Sequence, residues 1–349
     1  MVKDISVEFS DFLSFLPDGV GHALSLCDDE ELFGLTEVRL RRGRIVSLCF
    51  GQEIRPLFDE NGIPRLLSDE EMEEAWRKVT SSSLYAMEEE IKGGYITVGG
   101  GHRVGIAGTA VLREGRVCTQ KDILSLNYRY CRDLFGVGES ILELLFEGER
   151  FQNTLIFSSP AAGKTTLLRD LTRLLAKGKG GRSSINISVV DERGEIAAAF
   201  KGRCRFDLGD SVDVLTGFPK YEGMLLALRS LSPALLVSDE IGQAEDQRAV
   251  AEAIRGGVNL LLTAHAGSLE ELRCRPILKE LLRDGVFKRL LLLTNNPRPG
   301  VLAAAYRAVK KEGKTEYVAM DCGTVAGTRG GCRGDDPEKR LETAGKGID

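Results

Sequence analysis

Two textures of hydrophobic and polar residues divide the chain. Near the start, TEVRLRRGRIVSLCF sets Val38 and Leu40 against Arg39 and Arg41 in strict alternation, the period of a half-buried strand, and Arg42-Gly43-Arg44 supplies a hairpin turn. Ser68 and Glu71 form a capping-box signature, and Met72, Ala75, Trp76 and Val79 follow at helical spacing, so a helix begins there. The stretch GGYITVGGGHRVGIAGTAVLREGRV then reads as short strands whose glycines serve turns and bulges. Residues 1–140 are therefore expected to form a small α+β domain.

From about residue 141 the pattern becomes strand, glycine turn, helix, strand, the signal for a parallel sheet covered by helices. Apolar runs at 154–157, 185–190, 234–237, 258–263 and 290–294 predict buried strands. A helix is predicted over 165–177, with Leu167, Leu168, Leu171, Leu174 and Leu175 on one face and Gly178 as its stop. This α/β domain is expected to span 141–310, with 311–349 as a short extension. The last 27 or so residues are rich in glycine and charge and are expected to be disordered, because they have almost no apolar surface to offset ordering entropy.

With 349 residues, 42% of them hydrophobic and 28% charged, the chain can bury a core in each part, which excludes collagen, coiled-coil rods and predominantly disordered proteins. The net charge of −5 argues against sequence-independent nucleic-acid binding, which depends on Lys and Arg neutralising phosphates. No two of the eight cysteines sit at C-x-x-C spacing, so they read as reduced thiols of a cytosolic protein. No apolar run approaches the roughly 20 residues of a membrane-spanning helix. The first residues mix acids into their apolar stretch, unlike an export signal.

The strongest chemical signal is SSPAAGKTT, residues 158–166, between a predicted strand and a predicted helix. In the P-loop pattern G-x-x-x-x-G-K-[ST], backbone N–H groups and a helix N-terminus cradle phosphates, the Lys reaches the β and γ oxygens, and the hydroxyl binds Mg²⁺. Gly163, Lys164 and Thr165 fill the last three positions, Thr166 follows, and Ser159, Pro160, Ala161 and Ala162 form the cradle. Ser158 replaces the first Gly. If Ala161 must adopt positive φ, the loop carries roughly 1 kcal/mol or more of strain.

A second signal lies about 75 residues on, where SPALLVSDEIG ends an apolar strand in Asp239 and Glu240. That is a Walker B pattern, in which Asp239 holds Mg²⁺ through water and Glu240 polarises the attacking water. VVDERGEIAA places Asp191, Glu192 and Glu195 beyond another strand, and LLLTAHAG ends in Thr263 and His265. Ligands of open α/β sheets bind outside the carboxyl ends of the strands, so all these groups are expected to converge on the γ-phosphate, with His265 as sensor.

These motifs, together with VDVLTGFPKYEGMLLALRSLSPALLVSDEIG, SSSLYAMEEEIKGGYITVGGGHRVGIAG and SLNYRYCRD, resemble the stage III sporulation protein AA family of endospore-forming bacteria, ATPases similar to the type II/IV secretion ATPases. The resemblance covers about residues 35–300. It implies a RecA-like P-loop core behind a small α+β domain, with ATP and Mg²⁺ as ligands. It also implies a homo-hexamer on the mother-cell side of the channel joining mother cell and forespore, cytoplasmic and held at the membrane by partner proteins. By the same resemblance, Asp191 to Glu195, with Glu192 among them, form an acidic box, Thr263 to His265 a histidine box, and Arg229 matches an arginine before the Walker B strand. The family loop reads S-P-P-G-x-G-K-T-T, so Ser159 and Ala161 depart from it, which bears on the rate of catalysis more than on the fold. Secretion ATPases place N-terminal arginines over the nucleotide, and Arg39, Arg41, Arg103 and Arg129 are the candidates, Arg39 or Arg41 acting in trans. Two other readings stand beside the motor: a non-catalytic nucleotide-binding scaffold with a drifted P-loop, and a RecA-like motor on nucleic acid, which would require a basic groove with stacking aromatics.

Overall fold

A computed structural model of the chain describes residues 5–321 apart from 29–30, 33, 52, 81–87, 114, 131–132, 201 and 297–298. The glycine-rich tail expected to be disordered lies outside the described residues.

The N-terminal part runs α1 (Ile5–Leu13), α2 (Asp18–Ser25), β1 (Glu37–Arg41), β2 (Ser47–Phe50), β3 (Glu53–Pro56), α3 (Asp69–Thr80), α4 (Glu88–Lys92), β4 (Tyr95–Val98), β5 (His102–Arg113) and β6 (Arg116–Arg129). Its six strands form an antiparallel sheet in the order β3-β2-β1-β6-β5-β4. The alternation in β1 does what it predicts: Val38 and Leu40 are fully buried, and Arg39 and Arg41 stand on the other face. The capping box before α3 also forms, with the Glu71 N–H donating to Ser68 Oγ at 3.1 Å and the Ser68 N–H donating to the Glu71 carboxylate at 3.0 Å. Met72, Ala75 and Val79 of α3 then face the core with Phe12, Leu16 and Tyr128.

After a two-stranded ribbon, β7 (Phe146–Glu147) and β8 (Arg150–Phe151), the chain enters the larger unit at β9 (Thr154–Ser158) and α5 (Lys164–Ala176). There follow β10 (Ile187–Asp191), a small ribbon of β11 (Ala199–Phe200) and β12 (Arg203–Cys204), then β13 (Val212–Thr216), α6 (Lys220–Ser230), β14 (Leu235–Ser238), α7 (Ala244–Arg255) and β15 (Asn259–His265). The unit closes with α8 (Leu269–Cys274), α9 (Pro276–Arg283), β16 (Arg289–Thr294), β17 (Val301–Lys311) and β18 (Lys314–Ala319). Eight of these strands form one sheet in the order β13-β10-β14-β15-β9-β16-β17-β18. The first six are parallel and the last two add an antiparallel hairpin.

All five residues of β9 and of β10 are buried, as strands covered on both faces must be. Ile156, Val189, Val237 and Leu261 pack on the leucine face of α5, while Leu155, Val190, Leu236 and Leu260 pack on the other side with Met224, Val250 and Leu281 of α6, α7 and α9. The fold is the RecA-like α/β core expected from the sequence, behind an α+β unit. The sheet continues past the expected boundary at 310, because β18 pairs with β17 from Tyr306↔Ala319 to Lys311↔Lys314. Across the seam between the units, Arg205 lies 2.8 Å from Nε2 of His102, which is buried against Phe12 and Tyr130. Burial and the Arg205 charge push the His102 pKa down to about 3. Among the described residues, no helix is long and apolar enough to cross a membrane.

Candidate functional site

The loop between β9 and α5 is built around two left-handed residues, Ala161 at φ 59° and Gly163 at φ 84°. Ala161 thus carries the strain anticipated for a non-glycine residue there, about 1–2 kcal/mol. Gly163 is required by its neighbours, since a Cβ would come within 2.9 Å of the Gly300 nitrogen. The Gly300 N–H in turn donates to the Ala162 carbonyl at 2.9 Å, so the turn after β16 braces the loop. No side chain caps α5 and its first turn carries no acid, which leaves its N–H groups and positive dipole end to an anion. Ser159, Pro160 and Ala161 are exposed, whereas Thr165 and Thr166 are half-buried in the first turn of α5.

Lys164 is only 6% exposed, and its Nζ lies 3.2 Å from Ser158 Oγ and 3.1 Å from Nδ1 of His265. Burial pulls its pKa down, opposed by the charges of Glu240 and Asp239. On the far side of the imidazole, His265 Nε2 lies 2.7 Å from Glu240 Oε1. An ammonium can only donate and a carboxylate can only accept, so these partners assign the tautomer: Nδ1 accepts from Lys164 and Nε2 donates to Glu240. The three side chains form one polar chain across the carboxyl edges of β9, β15 and β14. The register permits it, because His265 pairs with Ser158 at the ends of neighbouring parallel strands.

Glu240 is the most constrained member. Its backbone is left-handed at φ 47°, its N–H donates to Thr263 Oγ1 at 2.7 Å, and its carbonyl accepts from Lys220 Nζ at 2.9 Å. Arg193 donates to its second carboxylate oxygen at 2.9 Å. Burial alone would raise the Glu240 pKa, but the His265 hydrogen bond and the charges of Arg193 and Lys164 hold it below the usual range. Asp239 differs: it is 2% exposed, and its Oδ2 has no hydrogen-bond partner among the described residues. Burial pushes its pKa up to about 7, with Asp191, Glu195 and Glu240 adding to the rise and Lys220 opposing it.

A buried carboxylate oxygen without a donor fits a cation or its coordinated water. Among the described residues, no group of three His, Cys, Asp or Glu side chains could hold a metal ion alone. One carboxylate, a threonine hydroxyl and phosphate oxygens are a donor set that Mg²⁺ accepts, and Asp239 with Thr165 could supply the protein's share.

The acids gather at this edge, but not all of them are free to meet a ligand. The Asp191 oxygens are consumed by the N–H groups of Glu195 (2.8 Å), Ile196 (3.1 Å) and Ala197 (2.8 Å), so this fully buried acid holds the following turn. Glu195 binds Arg103 of β5 at 2.7 Å, and Glu192 faces Lys220 at 3.6 Å. Arg229 is exposed in the last turn of α6. Of the four candidate arginines, Arg103 alone meets this loop among the described residues. Arg39 and Arg129 pair with Glu37, and Arg41 lies 3.4 Å from Ser47 Oγ. Sequence reasoning gave no role to Arg193, Lys220 or Gly300, although Arg193 lies within the acidic-box segment 191–195 and Lys220 within the stretch before the Walker B strand.

The model of the family described as sporulation stage III, protein AA, matches residues 23–313. Stage III sporulation protein AA of Bacillus subtilis is 38% identical over 295 residues, spanning 83% of this chain and 92% of that protein. Among solved structures, the Legionella pneumophila ATPase DotB is similar at 16% identity with a TM-score of 0.55, covering 88% of this chain and 82% of that one. The Yersinia pseudotuberculosis ATPase DotB is similar at 13% identity and a TM-score of 0.52, covering 86% and 77%. These two share the fold.

Proposed function

The chain belongs to the sporulation stage III, protein AA family, and on that premise we propose that it is an ATP-hydrolysing, secretion-type motor of the mother cell/forespore channel complex. The observation that carries the reading is the Lys164–His265–Glu240 chain laid across the strand ends beside the uncapped start of α5. Phosphates bind the backbone N–H groups of residues 161–166 and the Lys164 ammonium. Thr165 and Asp239 would hold Mg²⁺, which would supply charge neutralisation for phosphoryl transfer. Water attacks the γ-phosphorus in line, the bond to the β,γ-bridging oxygen breaks, and ADP and phosphate result. Glu240, kept ionised by its neighbours, accepts the water's proton. His265 links base to phosphate-binding lysine and so reports whether the γ-phosphate is present. Glu192 enters through Lys220.

As a secretion-type motor the chain works as a homo-hexamer in the cytoplasm of the mother cell, docked on membrane partners. Turnover per chain then rises with protein concentration as rings assemble. Replacing Arg39 and Arg41 together by Ala lowers turnover about tenfold or more in rings that still assemble, since arginine fingers carry 10³–10⁵ in rate. Unchanged turnover in that variant would contradict an arginine acting in trans. A nucleotide-binding scaffold is the second reading, favoured by the strained Ala161. Nucleotide binding with no turnover at any concentration would support it.

A further inference from the structure

We infer that Lys220 is the positioning residue for Glu240, an inference that rests on the ATPase reading above. It fixes the backbone from which Glu240 projects and does not itself touch the nucleotide.

Lys220 stands where a lysine is doubly disfavoured. It is 8% exposed, and lysines are almost never buried unless paired. It is also the first residue of α6, where the positive end of the helix dipole repels a cation. Acids offset both penalties. Glu192 lies 3.6 Å from its Nζ, and the Lys220 charge also acts on Asp239. The ammonium then donates to the Glu240 carbonyl at 2.9 Å.

That bond acts on a residue whose backbone needs holding. At φ 47°, Glu240 occupies a conformation that non-glycine residues rarely keep unless their surroundings impose it. Thr263 secures its N–H and Lys220 its carbonyl, one from each neighbouring element. With the backbone so turned, the carboxylate oxygens meet His265 and Arg193. The lysine is itself seated by α6. A Cβ at Gly223, three residues on, would come within 2.7 Å of Val190 Cγ1, so that glycine lets the helix lie directly on β10.

The test compares wild type, Glu240→Gln, Lys220→Met and the double variant of the full chain by single-turnover ATP hydrolysis with Mg²⁺, ATP binding and thermal melting. Lys220→Met is expected to lower kcat about 10- to 100-fold, the cost of displacing a catalytic group by about 1 Å. KM for ATP and nucleotide affinity stay within about threefold. Because Lys220 acts through Glu240, the double variant is expected to be no slower than Glu240→Gln alone. A raised KM with kcat retained, losses that multiply in the double variant, or wild-type kcat in Lys220→Met would each overturn the inference while leaving the ATPase reading intact. A wild-type chain without Mg²⁺-dependent turnover would overturn both. Should Lys220→Met fail to fold, Lys220→Arg keeps a cation over the acids. It is expected to show lowered kcat, unchanged KM and the same lack of additivity, and the same contrary outcomes decide.

Discussion

The ends of β10 and β14 are neighbours in the parallel sheet, with Val190 paired to Ser238, and each strand is followed at once by a buried acid or ends in one. Asp191 closes β10 and Asp239 follows β14, yet their surroundings give them opposite work. The chain after Asp191 turns back and offers three N–H groups to its carboxylate, which become a turn's internal scaffold. The chain after Asp239 passes directly into the left-handed Glu240, and Asp239 Oδ2 meets no donor among the described residues. For a buried acid at a strand end, the supply of local donors decides whether it is structural or left for a ligand. Sequence position alone does not separate the two.

Removing the charge at Asp239 should have the largest effect. Asp239→Asn is expected to lower Mg²⁺-dependent turnover about 100-fold or more, as losses of charged transition-state support do. The same change should stabilise the nucleotide-free chain. The folded-state pKa is raised from 3.8 to about 7, so the native stability tied to the protonated acid is full below 3.8 and is lost as pH rises through the folded value. The melting-temperature advantage of the Asn variant therefore grows between those limits and levels off above about pH 7. An advantage that is flat with pH would show that Asp239 is not held in this environment.

At Asp191 the order of effects reverses. Asp191→Asn turns an amide donor toward N–H groups that need an acceptor, at a cost of about 2–4 kcal/mol. That corresponds to a melting temperature lower by roughly 5–10 °C. Turnover per folded chain should fall far less than in Asp239→Asn. A fully folded but inactive Asp191→Asn would erase the distinction between the two acids. The smallest effect is expected at Ala161→Gly, which relieves the positive-φ strain. It should raise stability by about 1 kcal/mol or less, since glycine's added chain entropy offsets part of the gain. Turnover should rise by no more than a few-fold, and a fall would show that the alanine is tuned to the loop.

Much of this edge could be read before any coordinates. The strands and the leucine face of α5 follow from periodicity, and Lys164, Asp239, Glu240 and His265 follow from spacing after apolar runs. Lys220 and Arg193 could not be read, because their meaning depends on β10 lying beside β14, and strand order is set by tertiary pairing. Strand β13 was missed for a local reason: its residues are half-buried or exposed at a sheet edge, so it lacks the apolar run of its neighbours. The β17–β18 hairpin extends the sheet with Ala303, Ala304 and Ala305 in place of the β-branched residues that mark strands. The donors that hold Asp191 are backbone groups, which no side-chain pattern reveals.

The most direct test is phosphate release from ATP by the purified chain at assembling concentrations, with and without Mg²⁺, beside Glu240→Gln. Turnover that requires Mg²⁺ and falls about 100-fold or more in the variant is the predicted result, in line with loss of a general base. Equal Mg²⁺-dependent turnover in both would contradict Glu240 as the base, and the absence of turnover in both would contradict the motor itself.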